Sequence, residues 1–217
     1  MEKNNSAGLY HALRQAKCQA ICDVVEALVL LPKISVQLLN DELFITDNQG
    51  DWVADCALYH VREGNFYGHP ASLPARPDFT KDKVSSMKAE DFEKIRTPPA
   101  VWLVREEIAN SPGSPTWDTT NGKFGPFKGQ MFIGDQRQSN YFRSGVEKIN
   151  GEYQGWCIDF LRGLESGPVK MSFDPQGRLW SAQVGRGWFS KGGKRTAVQY
   201  AEWDGKTIPF ALHSTSR

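Results

Sequence analysis

Leu43-Phe44-Ile45-Thr46-Asp47-Asn48-Gln49-Gly50-Asp51-Trp52 reads as a short apolar strand that runs into a polar, aromatic loop. The same succession begins again at Met131-Phe132-Ile133-Gly134, before Asp135-Gln136. It begins a third time at Leu179-Trp180-Ser181-Ala182, before Gln183-Val184-Gly185-Arg186-Gly187-Trp188. The first interval is about two units, and the second about one, of the roughly 40- to 50-residue period of propeller blades. Equivalent strand ends in such an architecture surround one axis, so their loops share a face.

Outward from these stretches the pattern is one of hairpins. Ile34-Ser35-Val36-Gln37-Leu38 alternates with a period of two, and Asn40-Asp41 suits the turn into Leu43. Ala57 to Val61 leads through Glu63-Gly64-Asn65 into Phe66-Tyr67, and Val146 to Ile149 passes Asn150-Gly151 to reach Tyr153 to Phe160. Val169 to Phe173 turns at Asp174-Pro175-Gln176-Gly177 into Arg178 to Ala182, and Val198 to Trp203 turns at Asp204-Gly205 toward Pro209 to Leu212. Asn-Gly and Asp-Gly supply the positive φ angles that tight hairpin turns need. Residues 34–217 are therefore expected to be all-β, a propeller or partial propeller of about three to four four-stranded blades. The stretch from about 70 to 115, with Pro70, Pro74, Pro77, Pro98, Pro99, Pro112 and Pro115, reads as an irregular insertion. Its charged part, Lys81 to Arg96, suits a short helix or an excursion, and Pro98 to Leu103 an extended strand that opens a degenerate blade. Residues 1–33 form an N-terminal extension. Within it Leu9, Leu13, Ala16, Ala20, Val24, Ala27, Leu28 and Leu31 recur at helical steps, predicting an amphipathic helix over 7 to 31 that stops before Pro32.

Lysine and arginine (26) nearly cancel aspartate and glutamate (25), so no global field draws nucleic acid or an anionic membrane. Val24 to Leu31 is broken by Glu26 and too short to span a bilayer, so no transmembrane segment and no secretion signal is expected. Cys18, Cys22, Cys56 and Cys157 define neither a disulfide framework nor a zinc site, although Cys18 and Cys22 with His11 are metal-compatible residue types. Counting from Asp47, Trp52 and Leu58 stand where a helix-loop-helix calcium site needs glycine and glutamate. The metal content stays open.

Asp47-Asn48-Gln49-Gly50-Asp51-Trp52 followed by Gly64-Asn65-Phe66-Tyr67-Gly68-His69-Pro70 resembles bacterial propeller proteins related to the pyrroloquinoline-quinone (PQQ) glucose and sorbosone dehydrogenases. Phe124 to Gln136, Gly151-Glu152-Tyr153-Gln154-Gly155 and Gly185-Arg186-Gly187-Trp188 are similar to the same group. The resemblance covers roughly residues 35 to 213. It implies a six-bladed ring with PQQ and calcium in a central pocket, a histidine base, and hydride transfer from a sugar, in a protein found outside the cytoplasm. A ring of six blades needs roughly 240 to 270 residues. Where the enzymes carry their base histidine, just ahead of Val169 to Trp180, this chain has Glu165-Ser166-Gly167-Pro168.

Within that frame His69 is the candidate catalytic base, since an imidazole titrates near neutral pH and sits here in a loop; a structural role for it stands beside that reading. Asp47, Gln49, Asp51 and Trp52, with Asp135 and Gln136 at the matching strand end, offer hydrogen bonds and a stacking surface to a polyhydroxylated substrate. Asp47 and Asn48 serve equally as turn caps. Arg186, Trp188, Lys191 and Lys194 are the candidate cofactor residues: cations around an aromatic suit a planar quinone with carboxylates, or make an ordinary solvated loop. The rival reading is a non-catalytic propeller fragment whose open blade edges pair with another chain or a second copy.

Overall fold

The computed structural model describes residues 36–39, 42–50, 52–185 and 189–206. The helix expected over 7 to 31, the strand expected over Pro209 to Leu212, and the candidate residues Asp51, Arg186 and Trp188 lie outside them. Among the described residues no helix is long and apolar enough to cross a membrane.

The described chain is mostly antiparallel β-sheet, in three sheets. The first is the meander β1 (Val36–Leu39), β2 (Glu42–Asp47), β3 (Cys56–Val61) and β4 (Val101–Leu103). The second is β5 (Pro112–Trp117), β6 (Met131–Asp135), β7 (Asn140–Ile149) and β8 (Glu152–Arg162). The third is β9 (Pro168–Phe173), β10 (Leu179–Val184) and β11 (Thr196–Ala201). Each of the three repeated stretches is the second strand of its sheet. β5 lies against β1, β2 and β9, while β4 lies against β8, so first strands approach first strands and last approaches last. The described residues do not close these sheets into a ring.

Hairpin chemistry accounts for the local structure. Asn150 (φ 51°) and Gly151 (φ 88°) turn β7 into β8 with Ile149 opposite Glu152, the two-residue loop with positive φ at both positions. One expected hairpin is different. Phe66 forms an isolated parallel bridge with Arg96, and β3 pairs instead with β4, which completes the first sheet after an insertion. That insertion holds a 3-10 helix (Pro70–Ala75), α1 (Lys81–Ser86) and α2 (Ala89–Ile95). Thr80 Oγ1 caps α1 by accepting from Lys83 N at 3.1 Å, and Asp91 Oδ2 accepts from Lys88 N at 3.1 Å at the start of α2. Phe66, Leu73 and Phe92 form the insertion's own small core, with Trp52, Phe79, Val84 and Met87 around it.

The second sheet is covered on both faces. Met131, Ile133 and Phe142 point into one core with Phe44, Leu58, Val101 and Trp117, while Phe132 and Tyr141 point into another with Phe124, Phe127 and Leu179. Successive strand residues face opposite ways, so a strand covered on both sides reads as an unbroken apolar run.

Candidate functional site

The second strands all end on one side of the sheet stack, and direct bonds tie those ends together. Thr46 Oγ1, near the end of β2, donates to Gly113 O at 2.7 Å, and Gln136 Nε2, just past β6, donates to Val184 O at the end of β10 at 3.0 Å. Backbones approach closely here. A Cβ on Gly134 would stand 2.7 Å from Pro168 Cγ, and one on Gly167 would overlap the carbonyl oxygen of Gln136.

Asp135 is the hub. It is fully buried, and its carboxylate accepts from the amides of Asn110 (2.6 Å), Ser111 (2.6 Å) and Gln138 (2.7 Å). Burial pushes its pKa above the usual carboxylate range, partly opposed by those amide donors. Burial raises the Asp47 carboxyl too. Between them, Cys56 donates to Gln49 Oε1 at 2.8 Å. Burial, then the negative fields of Asp135, Asp47 and Asp55, push its thiol up to about 12, so it is inert as a nucleophile near neutral pH.

A second polar chain continues into the third sheet. Ser166 N donates to Gln183 Oε1 at 3.0 Å, Gln183 Nε2 donates to Ser181 Oγ at 2.8 Å, and Ser181 receives the Tyr141 hydroxyl. The segment 189–195 folds over the turn after β6: Lys191 N donates to Arg137 O at 3.0 Å, Gly192 N to Ser139 Oγ at 2.9 Å, and the Ser139 and Ser190 hydroxyls pair at 2.6 Å. Gly192 is needed there, because a Cβ would overlap Leu164 O.

The candidate residues therefore divide. Asp47, Gln49, Asp135, Gln136, Lys191 and Lys194 belong to this end of the molecule. Lys191 is exposed, while Lys194 pairs with Glu165 at 2.6 Å. Trp52, from the loop between β2 and β3, and His69 stand instead against the insertion. Trp52 packs edge-on against Phe92 at 5.1 Å, and His69 is exposed, its Nδ1 accepting from Ala71 N at 3.1 Å as the cap of the 3-10 helix. The residues that sequence reasoning missed are Asn110, Ser111, Gln138, Ser139, Asn140 and Gln183, all buried. For Gln138, Ser139 and Asn140 the polar run Asp135 to Asn140 was the signal, and it resembles an ordinary solvated loop.

Buried polar atoms at this end that have no hydrogen-bond partner among the described residues include Ser111 Oγ, Arg137 Nε, Gln138 Oε1 and Asn140 Oδ1. They combine donors and acceptors, the mix a polyol uses. Arg137 also lies over the Phe189 ring at 5.5 Å, and Phe189 is 63% exposed, which beside Lys191 makes an aromatic patch with two cations, chemistry that suits a planar anion. Calcium fits less well. The Asp135 carboxylate is ringed by amide donors, and the described residues contain no cluster of three or more histidine, cysteine, aspartate or glutamate side chains placed to hold a metal.

No protein-family model matches the chain, and no curated protein matches it. A solved structure from Thermus thermophilus, of a protein provisionally named as an oxidoreductase (glucose dehydrogenase), is similar at a TM-score of 0.47 and 14% identity. The match covers 77% of this chain and 43% of that one, so this chain spans less than half the length of that protein.

Proposed function

We propose that this chain is a sugar-dehydrogenase-like ligand-binding module on the propeller plan, taking a polyhydroxylated carbohydrate, a quinone such as PQQ, or both, over the shared strand ends. The supporting observation is the set of buried, unpartnered donors and acceptors around Asp135, bordered by Arg137, Phe189 and Lys191. Buried polar groups are expected to find partners, and sugar hydroxyls are suited to supply them. The reading is one of binding, since His69 caps a helix in the insertion. Titrating the protein with PQQ, with and without calcium, and then with glucose, tests it. Saturable quenching of tryptophan fluorescence is expected, weakened about tenfold in Arg137→Gln. No response to either compound, and no sugar-dependent dye reduction, would overturn the proposal.

A second reading has its own observation. The outer face of the third sheet carries Val198 (70% exposed) and Tyr200 (46%) beside Trp180. A second copy that offers the same face would cover it symmetrically, making the chain an assembly module. Solution mass decides this. A dimer abolished by Val198→Lys supports the assembly reading, and a monomer at high micromolar concentration removes it.

A further inference from the structure

The turn after β6 brings a cation and a set of neutral hydrogen-bonding groups close together. Arg137, Gln138 and Asn140 lie within one short stretch, so their Cα atoms stand within about 11 Å of one another even in a fully extended chain. The loop of residues 104–111 packs against them. Gln138 Nε2 donates to Glu106 O at 3.1 Å and to Asn110 Oδ1, and Asn140 Nδ2 donates to Asp159 Oδ1 at 3.2 Å. Ser111 N and Gln138 N share the Asp135 carboxylate. Each of the two amide side chains therefore has its nitrogen engaged by the protein. Their oxygens, Gln138 Oε1 and Asn140 Oδ1, stay buried without a hydrogen-bond partner among the described residues, as does Ser111 Oγ. Amide oxygens only accept and a hydroxyl does both, so what fits here is a group of O–H donors.

The charge beside these oxygens is of the opposite kind. The Arg137 side chain is one-third exposed while its Nε is buried and unpartnered among the described residues, so it reaches from the surface into the interior. Glu106 Oε1 stands 4.0 Å from Arg137 Nη2, beyond hydrogen-bond distance, and accepts instead from Asn110 Nδ2 at 2.8 Å. Lys191, whose amide donates to Arg137 O at 3.0 Å, is exposed, and among the described residues no carboxylate pairs with its ammonium. Lys194 differs, being held by Glu165. Two cations thus face one carboxylate that is already occupied, and the exposed Phe189 ring lies beside them.

We infer that the ligand of this turn is a carboxylated sugar, a uronate or an aldonate. Its carboxylate meets Arg137, with Lys191 beside it, and its hydroxyls donate to Gln138 Oε1 and Asn140 Oδ1 and bond with Ser111 Oγ. A neutral sugar would leave Arg137 Nε unpaired, and a carboxylate without hydroxyls would leave the amide oxygens unpaired. Buried polar groups left without partners are what discriminate between such ligands. The inference rests on the binding reading above and narrows its ligand to one molecule that carries both chemistries.

Calorimetric titration of the full chain near neutral pH, with D-glucuronate and D-gluconate as probes, tests it. The comparisons are D-glucose, which lacks the carboxylate, cyclohexanecarboxylate, which lacks the hydroxyls, and PQQ. At least one sugar acid is expected to bind about tenfold or more tightly than D-glucose and cyclohexanecarboxylate, the scale of one charge-assisted hydrogen bond. Arg137→Gln should abolish the preference over D-glucose, and Lys191→Gln, at an exposed position, should reduce it severalfold. D-glucose or PQQ binding as tightly as both acids would overturn the inference and leave the binding reading standing. Cyclohexanecarboxylate binding as tightly would make the site one for simple anions and overturn it too. Silence from every compound would remove the binding reading and the inference with it. These comparisons use the unaltered protein, so they decide the matter even if a variant folds poorly.

Discussion

The second and third sheets are built from the same hairpins and differ in how many neighbours cover them. In the second, Met131, Phe132, Ile133, Tyr141 and Phe142 are all fully buried, because the first sheet lies on one face and the third on the other. In the third, Leu179, Ser181 and Gln183 turn inward and are buried, while Trp180, Val198 and Tyr200 turn outward and are partly or largely exposed. Covered on one face only by the described residues, the third sheet keeps the alternation of buried and exposed positions that the second has lost. Residue type alone does not tell the sheets apart; the count of covering layers does.

The sharpest way to break this comparison is by truncation. Phe132 sits among Phe160 at 5.0 Å, Phe124 at 5.1 Å, Phe127 at 5.7 Å and Phe173 at 6.1 Å. Phe132→Ala should cost about 3 to 5 kcal/mol through lost contacts and an unfilled cavity. Val198→Ala on the open face should stay within about 0.5 kcal/mol. Urea midpoints measure both, and similar shifts would mean that the outer face is covered in solution.

A smaller effect sharpens the comparison at the seam between the two sheets. Gly167 gives way to the carbonyl of Gln136, so Gly167→Ala must push the start of β9 off the turn after β6. The expected cost is about 1 to 3 kcal/mol, the range for overpacking, again read from the denaturation midpoint. Gly50, with nothing near its missing Cβ, is the control, and Gly50→Ala should leave the midpoint almost unmoved.

What the sequence made legible follows the same division between local and layered information. Asn150-Gly151 announced its hairpin because the turn's chemistry is contained in two residues. β5 was hidden, since Pro112 and Pro115 argue against a strand. They are tolerated because β5 is an edge strand, paired among the described residues only with β6, with a register shift between the two prolines. β4 was legible as a strand within Pro98 to Leu103 but not as the closing strand of the first sheet, because Glu63-Gly64-Asn65 pointed to Phe66-Tyr67 as the partner of β3, and the true partner lies beyond three helical segments. At the candidate site, Asp47, Asp135 and Gln136 could be picked out as strand ends. The burial of Gln138, Ser139 and Asn140 could not, because their partners come from elsewhere in the chain: Glu106 and Asn110 for Gln138, Ser190 and Gly192 for Ser139, Ile108 and Asp159 for Asn140.

The subtlest difference between the sheets is electrical. Asp135, in the second, has its carboxyl raised by burial, whereas burial also acts on Asp174, in the third, but hydrogen bonds from Trp180 (2.8 Å) and Arg178 (2.7 Å) outweigh it and hold that carboxyl well below the usual range. The unfolded chain titrates both near about 3.9. Folded Asp135 holds its proton more tightly than unfolded, so its contribution favours the native state in acid and is lost as pH rises from about 4 through its folded value. Folded Asp174 releases its proton more readily, so its contribution is present above about 4 and is lost as pH falls toward its folded value. The deficit of Asp135→Asn relative to the natural chain should therefore grow toward acid, and that of Asp174→Asn should shrink. Urea midpoints from about pH 3 to 7, a range that brackets the unfolded carboxylate, check both signs. If the two deficits ran in the same direction, the three amide donors would outweigh burial at Asp135. The hub would then be a ready-made carboxylate cradle, its charge held by the backbone.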